Sequence, residues 1–474
     1  MMTIERAQYS KPILPEHSGN PLIEALPPKK SWEEIMFHLS NYPDLAEDIA
    51  NDPDPLVREE YLNRISELRQ PLTEYKDCFR AVERVIKQGY SSRNPFSPTT
   101  AQYMHYDVEN LPKVLPRTGK FVPKGEGLTL IGDSGVGKTT MIEQILSYFP
   151  TVIIHESYLG NPVPFPQQVV SLKVDCPSNS SVRDLCEEIL ATLDLTLGRE
   201  KTKPEKYIGS LIRQMEQQIK INNLGILVID EMQNLQFART GGESNLLKFI
   251  HRLVNKLGIP IFFIANPPFD QSLVKELKAA RRAESGFHRE MHGLDISSQS
   301  WEVFIGQLWQ YQWTSPFTEL NAELNSCLHK LTCGNIDMAA RTFREAQRLL
   351  IGSTDERITE ASLEAGYNIA CGLTKQTKEV VRFKTSTTLP SGPTRKSTQS
   401  NGLSQKIKVD KTGDVTKPQH PEFALQLKTL LEDVDLLSKI PDVDRLQRIA
   451  EFPDAIAVLK SDRTILNDPL LELD

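Results

Sequence analysis

Leu128-Thr129-Leu130-Ile131-Gly132-Asp133-Ser134-Gly135-Val136-Gly137-Lys138-Thr139-Thr140 reads as an apolar strand running into a glycine-rich turn and a helix start. Gly132, Gly135 and Gly137 let the backbone curl so that successive N–H groups point at one anion, and the helix beginning at Lys138 adds its positive N-terminal end. Gly132 through Thr140 is therefore a candidate ATP-binding loop. Lys138 is expected to bridge the β- and γ-phosphates, and the Thr139 hydroxyl to hold Mg2+. Tight turns also collect glycine. Here strand, loop, Lys-Thr and the apolar helix positions Met141, Ile142, Ile145 and Leu146 agree with one another.

Further along, Ile226-Leu227-Val228-Ile229 ends in Asp230-Glu231. A short apolar run of this kind is a buried parallel strand that delivers two carboxylates at its C-terminal edge. Asp230 is placed for magnesium-bound water and Glu231 for polarising the water that attacks the γ-phosphate. A third run, Ile259 to Ala265, ends at Asn266. That side chain suits orientation of the lytic water, while Pro267-Pro268 also make it an ordinary turn residue.

Composition bounds what surrounds this core. At 474 residues, roughly three domains are expected. Fifty-five basic against 62 acidic residues leave a net charge of −7, so any nucleic-acid contact has to be local. Six cysteines lie scattered without metal-site spacing and the nine histidines form no ligand cluster. Without an apolar signal core at the N-terminus, or any run near the roughly 20 residues that span a bilayer, a reduced, cytoplasmic protein with no membrane partner is expected.

The chain divides by composition into a leader and helical adaptor (1–100), an α/β core (101–295), a helical segment (296–373), a basic disordered linker (374–420) and a short helical docking module (421–474). Ser31-Trp32-Glu33-Glu34 is a capping box for a first helix. Helix follows from about Leu56 to Gly89, broken at Pro71. Alternating strands and helices in the core argue for a parallel sheet covered on both faces. Trp301, Phe304, Leu308, Trp309 and Trp313 share a helical face, the pattern of a core stripe. From Thr374 to His420 the apolar content is too low to drive ordering.

A strand ending in Asn, then a helix, then Ala279-Ala280-Arg281-Arg282 resembles the order in AAA+ ATPases, in which such an arginine reaches the γ-phosphate held by a neighbouring subunit; an Arg pair on a helix is otherwise a solvated face. Asn20-Pro21-Leu22-Ile23-Glu24-Ala25-Leu26-Pro27-Pro28, Gly89-Tyr90-Ser91-Ser92-Arg93-Asn94-Pro95 and Gly241-Gly242 make the likeness more specific. From about Asn20 to Leu350 the chain resembles TnsC, the AAA+ regulator of Tn-type heteromeric transposition, and more distantly TniB. The resemblance implies an α/β AAA+ P-loop fold with a helical lid. It also implies an ATP-bound homo-oligomer, ring or filament, on double-stranded DNA of a bacterial cytoplasm. Such an oligomer links a TniQ- or TnsD-like target selector to TnsA- and TnsB-like transposase subunits, and ATP hydrolysis dismantles it. It adds Arg281 and Arg282 to the catalytic candidates Glu231 and Asn266 read from the strand ends.

In related regulators, DNA contacts come from the segment that corresponds here to Leu197–Tyr207, where Arg199, Lys201, Thr202, Lys203 and Lys206 cluster. Contacts to phosphate carry no sequence information; the alternative is a charged, solvated turn. One departure concerns the lid. Many AAA+ proteins carry a Gly-Asp-x-Arg turn whose arginine touches the γ-phosphate, but Gly334-Asn335-Ile336 leads to Asp337, with Arg341 and Arg344 further on. A replication-initiator or helicase-loader ATPase and a non-hydrolysing ATP-switch scaffold are the competing classes. The first lacks a recognisable DNA-reading domain here, and the second has no use for Glu231.

Overall fold

The chain opens on a short strand, β1 (Ile4–Arg6), followed by α1 (Pro21–Glu24), α2 (Trp32–Leu39), α3 (Pro55–Tyr61) and α4 (Thr73–Ser91). These come from a computed structural model that describes residues 3–100, 121–165, 167–178, 181–234, 252–267 and 285–385. The capping box forms as expected: the Ser31 side chain accepts the Glu34 N–H, and the Glu34 carboxylate accepts the Ser31 N–H. The helical run from Leu56 is divided more than the sequence suggests, since a 3-10 segment, Leu62–Glu67, separates α3 from the Pro71 break. Beyond it, α4 buries Phe79, Val82, Val85, Ile86 and Tyr90, a stripe at helical spacing.

Two segments quoted for their likeness to known regulators meet at the C-terminal end of α4. Asn20 caps α1 through the Leu22 N–H, and its Nδ2 donates to the Tyr90 carbonyl at 2.9 Å. Asn94 Nδ2 donates to the Gly19 carbonyl at 3.0 Å, and Arg93 Nη1 to the Leu224 carbonyl at 2.6 Å. The leader is thus tied to the base of the α/β core.

The core runs β2 (Gly127–Gly132), α5 (Lys138–Ser147), β3 (Val152–Ile154), β4 (Ser157–Tyr158), β5 (Asn161–Pro162), β6 (Gln167–Val169), β7 (Ser171–Asp175), α6 (Val182–Thr196), α7 (Ile208–Ile221), β8 (Ile226–Asp230), β9 (Ile261–Ala265) and β10 (Phe287–Met291). β9 begins at Ile261, after Pro260, whose missing N–H cannot join a ladder. The main sheet has the order β10-β2-β9-β8-β7 and its pairs are all parallel. Alternate residues feed two cores. Ile226, Val228, Phe262 and Ile264 pack on one face with Met141 and Ile142 of α5. Leu227, Ile229, Ile261 and Phe263 pack on the other with α6 and α7. Each such fully buried side chain contributes about 1.5–3 kcal/mol, and burial on both faces is why these runs are continuously apolar. A second small sheet joins β1 to β3 in parallel and β3 to β6 antiparallel.

The segment after the sheet is helical: α8 (Gln299–Trp309), α9 (Ala322–Thr332), α10 (Ile336–Leu350) and α11 (Glu360–Thr385). Trp301, Phe304, Leu308 and Trp309 are buried on α8, as the stripe implied; Trp313 is buried too, but beyond the end of the helix and so not on its face. Trp313 Nε1 donates to the Leu45 carbonyl and Tyr311 Oη to the Pro43 carbonyl, so this lid packs directly against the N-terminal helices. The expected linker from Thr374 begins inside α11, which is kinked at Cys371 (φ −129°) and helical again beyond it to Thr385. Most of that linker, and the module at 421–474, lie outside the described residues. No helix among the described residues is long and apolar enough to cross a membrane.

Candidate nucleotide site

Parallel pairing of β2, β9 and β8 brings their C-terminal ends side by side, which gathers three sequence-distant segments at one edge. Gly135 (φ +81°) and Gly137 (φ +88°) take left-handed backbone in the loop after β2, where a side chain would be strained. α5 then starts at Lys138. The Lys138 ammonium is buried and spends its three protons on the Gly132 carbonyl (2.8 Å), the Asp133 carbonyl (2.7 Å) and Asn266 Oδ1 (2.8 Å). Burial lowers its pKa, against the raising influence of Asp230, Glu231 and Asp133.

Thr139 Oγ1 donates to Asp230 Oδ2 at 2.8 Å, so the hydroxyl and carboxylate expected to share a metal already touch. The other Asp230 oxygen accepts the Glu231 N–H at 2.8 Å. Glu231 itself sits at φ +55°, an uncommon conformation for a residue with a Cβ. Its carboxylate accepts from Gln233 Nε2, and Gln233 Oε1 accepts the Asn266 N–H at 2.8 Å. Among the described residues the structure brings the loop, Asp230, Glu231 and Asn266 together at one sheet edge. Arg281, Arg282 and the Gly241-Gly242 pair lie outside the described residues.

Three contributors carried no signal in the sequence. Lys173 on β7 places Nζ 3.0 Å from Asp175, 3.2 Å from Glu143 and 3.7 Å from Asp230 Oδ2. Burial opposes its charge, but Asp175 and Glu143 outweigh burial and raise its pKa. Gln233 is the second. The third is Asn335, which caps α10 by accepting the Met338 N–H and donates Nδ2 to the Ser134 carbonyl at 2.8 Å. The Asp337 N–H donates to the Gly135 carbonyl at 3.2 Å. A Cβ at Gly137 would lie 2.7 Å from Ile336 Cδ1, so the lid rests on the loop. Arg341 is turned to Asp337 (2.6 Å) and the Ala370 carbonyl, and Arg344 to Glu345.

The basic segment after α6 is organised by a carboxylate. Asp194, buried, accepts Arg199 Nε at 2.7 Å, the Thr202 N–H at 2.5 Å and Thr202 Oγ1 at 3.0 Å. Burial would raise its pKa, yet these donors hold it below the usual carboxylate value. Arg199, although exposed, and the half-buried Thr202 are therefore bound to Asp194, while Lys201, Lys203 and Lys206 are exposed on a loop pinned by Arg183 and Gln214.

Sheet order, phosphate loop, acid pair and helical lid define an AAA+ P-loop ATPase fold of the α/β class. Residues 124–273 match the AAA domain family. No curated protein matches the sequence. Among solved structures, the chain is similar to the ORC2 protein of Aeropyrum pernix in its ADPNP-ADP complexes (11% identity, TM-score 0.33) and to a Walker-type ATPase of Pyrococcus abyssi (12% identity, TM-score 0.35). The first match covers 52% of this chain and 63% of that one, and the second 55% and 71%.

Proposed function

We propose that this protein hydrolyses ATP to govern a DNA-bound oligomer, as a TnsC-like regulator of transposition. The contact that carries the ATPase part is Thr139 Oγ1 to Asp230 Oδ2 at 2.8 Å, a pair of hard oxygens beside a buried lysine. Thr139 and Asp230 would hold Mg2+, which prefers hard oxygen ligands. When bound, the ion neutralises triphosphate charge.

Lys138 leaves Asn266 and the loop carbonyls to meet the β- and γ-phosphate oxygens, and the loop N–H groups hold the β-phosphate. Glu231 accepts a proton from the attacking water as its oxygen bonds to the γ-phosphorus. The bond to the bridging oxygen breaks, and ADP departs with that electron pair. Asn266, released by Lys138, is free to orient the water. Arg281 or Arg282 from a neighbouring subunit completes the charge stabilisation in this scheme.

The transposition part is supported by the likeness of segments 20–28 and 89–95, which pack on each other through Asn20, Tyr90, Gly19 and Asn94. Lys201, Lys203 and Lys206, exposed on the Asp194-pinned loop, are the phosphate contacts we assign to duplex DNA. A target selector and transposase subunits are the implied partners. Steady-state ATP turnover with and without duplex DNA, combined with sedimentation in ATP and in ADP, tests the proposal. DNA-stimulated turnover and ATP-dependent assembly are expected. Turnover without either would leave an ATPase of another class, and absence of turnover would refute the enzymatic assignment.

A further inference from the structure

Gln233 has no place in the scheme above, yet its side chain touches two of the residues that have one. It follows the acid pair on a turn that is fixed from several sides. Met232 is fully buried, the Asn234 N–H donates to the Glu231 carbonyl at 2.9 Å, and Asn234 Nδ2 donates to the Cys176 carbonyl at 3.0 Å. From that anchored turn the Gln233 amide reaches in two directions. Nε2 donates to the Glu231 carboxylate at the end of β8, and Oε1 accepts the Asn266 N–H, 2.8 Å away at the end of β9. Asn266 in turn accepts Lys138 Nζ through Oδ1. A continuous chain therefore runs Lys138, Asn266, Gln233, Glu231, from the residue that meets phosphate to the residue that takes a proton from water.

Only an amide, or a group with one donor and one acceptor, fills this position. A carboxylate would lack the donor and repel Glu231. A methyl group would leave the Asn266 N–H without its acceptor and release the Glu231 side chain. Because Glu231 stands on left-handed backbone, its carboxylate direction depends on a tertiary partner as well as on its own rotamer.

We propose that Gln233 is a positioning residue for ATP hydrolysis, holding the Glu231 carboxylate in register with the end of β9 so that displacement of Asn266 by nucleotide is felt at the general base. The inference rests on the hydrolytic role given to Glu231. It acts on turnover and leaves ATP affinity alone, since Gln233 has no contact with the phosphate loop among those described.

The test uses the full chain with four substitutions, Gln233→Ala, Gln233→Glu, Gln233→His and Glu231→Gln, and the double variant Gln233→Ala/Glu231→Gln. Turnover is read under the wild-type optimum, alongside equilibrium binding of a fluorescent ATP analogue. Misplacing a base of this kind costs about ten- to a hundredfold in kcat. Gln233→Ala and Gln233→Glu should show that loss with analogue affinity within about twofold, and Gln233→His, which keeps a donor and an acceptor, should recover part of it. In the Glu231→Gln background, Gln233→Ala should cause no further loss. Full losses that multiply in the double variant, or a Gln233→Ala enzyme at wild-type rate beside an impaired Glu231→Gln enzyme, would overturn the positioning role while sparing Glu231. A Glu231→Gln enzyme at wild-type rate, or a wild-type chain without turnover, would instead refute the hydrolytic assignment and this inference with it.

Discussion

Replacing Arg58 by alanine should loosen the lid from the N-terminal helices. The Arg58 guanidinium on α3 meets Glu356, in the connection between α10 and α11, at 2.5 and 2.8 Å, a bidentate pair in which each side chain is only 8% exposed. The carboxylate also accepts the Ser315 N–H at 2.9 Å and the Gly352 N–H at 2.7 Å. Losing one member of a buried pair strands the other charge, at a cost of about 3–5 kcal/mol. Two N–H donors stay with Glu356, which places the expected loss near the lower end, about 3 kcal/mol.

For a large domain, roughly 2–4 °C accompanies each kcal/mol, so the melting transition should fall by about 6–12 °C. Hydrogen exchange in α10 and α11 should rise with it. Burial pushes the Glu356 pKa up, but Arg58 and the two N–H groups outweigh burial and hold it low. A depressed folded-state value means stability that is present above the unfolded carboxylate range and lost as pH falls through the folded value. Arg58→Ala should flatten that acid loss. A double change, Arg58→Met with Glu356→Gln, removes both charges and should recover most of the stability. An Arg58→Ala melt within about 1 °C of wild type, or a double variant as unstable as the single one, would refute the reasoning.

Lys138→Ala removes the charge facing the triphosphate, so ATP affinity and ATP-dependent assembly should both fail; filaments that persist in this variant would move the site elsewhere. Arg281→Ala or Arg282→Ala chains should bind ATP normally yet turn over only when mixed with Lys138→Ala chains, and no recovery at any mixing ratio would remove the arginines from the neighbour's site. Lys201→Ala with Lys203→Ala should weaken all duplexes alike and flatten the slope of log affinity against log salt, a slope that stays unchanged if these lysines are only solvated. His155 lies between Tyr9 Oη (2.8 Å) and Gln168 Oε1 (2.9 Å), and burial lowers its pKa. Its neutral form is favoured by folding, so stability should fall as pH drops below 6.5; His155→Gln should remove that component of an acid titration followed by thermal melting.

The phosphate loop, Asp230-Glu231 and the Ser31 capping box were legible because each is specified within a few consecutive residues. Glycines at φ +81° and +88° announce themselves by residue type, and five-residue apolar strands by their uniform burial. The aromatic stripe from Trp301 to Trp309 was legible for the same local reason, as helical spacing, whereas the burial of Trp313 beyond the helix end was not. Lys201, Lys203 and Lys206 were visible as charge, whereas the bonding of Arg199 and Thr202 to Asp194 was not. Asp194 gives no sign in sequence that it will accept three donors from the following loop.

Sequence alone determined the chemistry at the edge of the sheet, because backbone conformation, helix starts and strand ends follow from steric and hydrogen-bonding demands of neighbouring residues. Tertiary structure alone decided how that chemistry is held. Gln233 joins Glu231 to Asn266 only because β8 and β9 are adjacent. Asn335 reaches Ser134, and Arg58 reaches Glu356, across hundreds of intervening residues. Contacts of that span are set by the packing of apolar faces elsewhere in the chain, and a lone Gln, Asn or Arg carries no local mark of the partner that packing will bring to it.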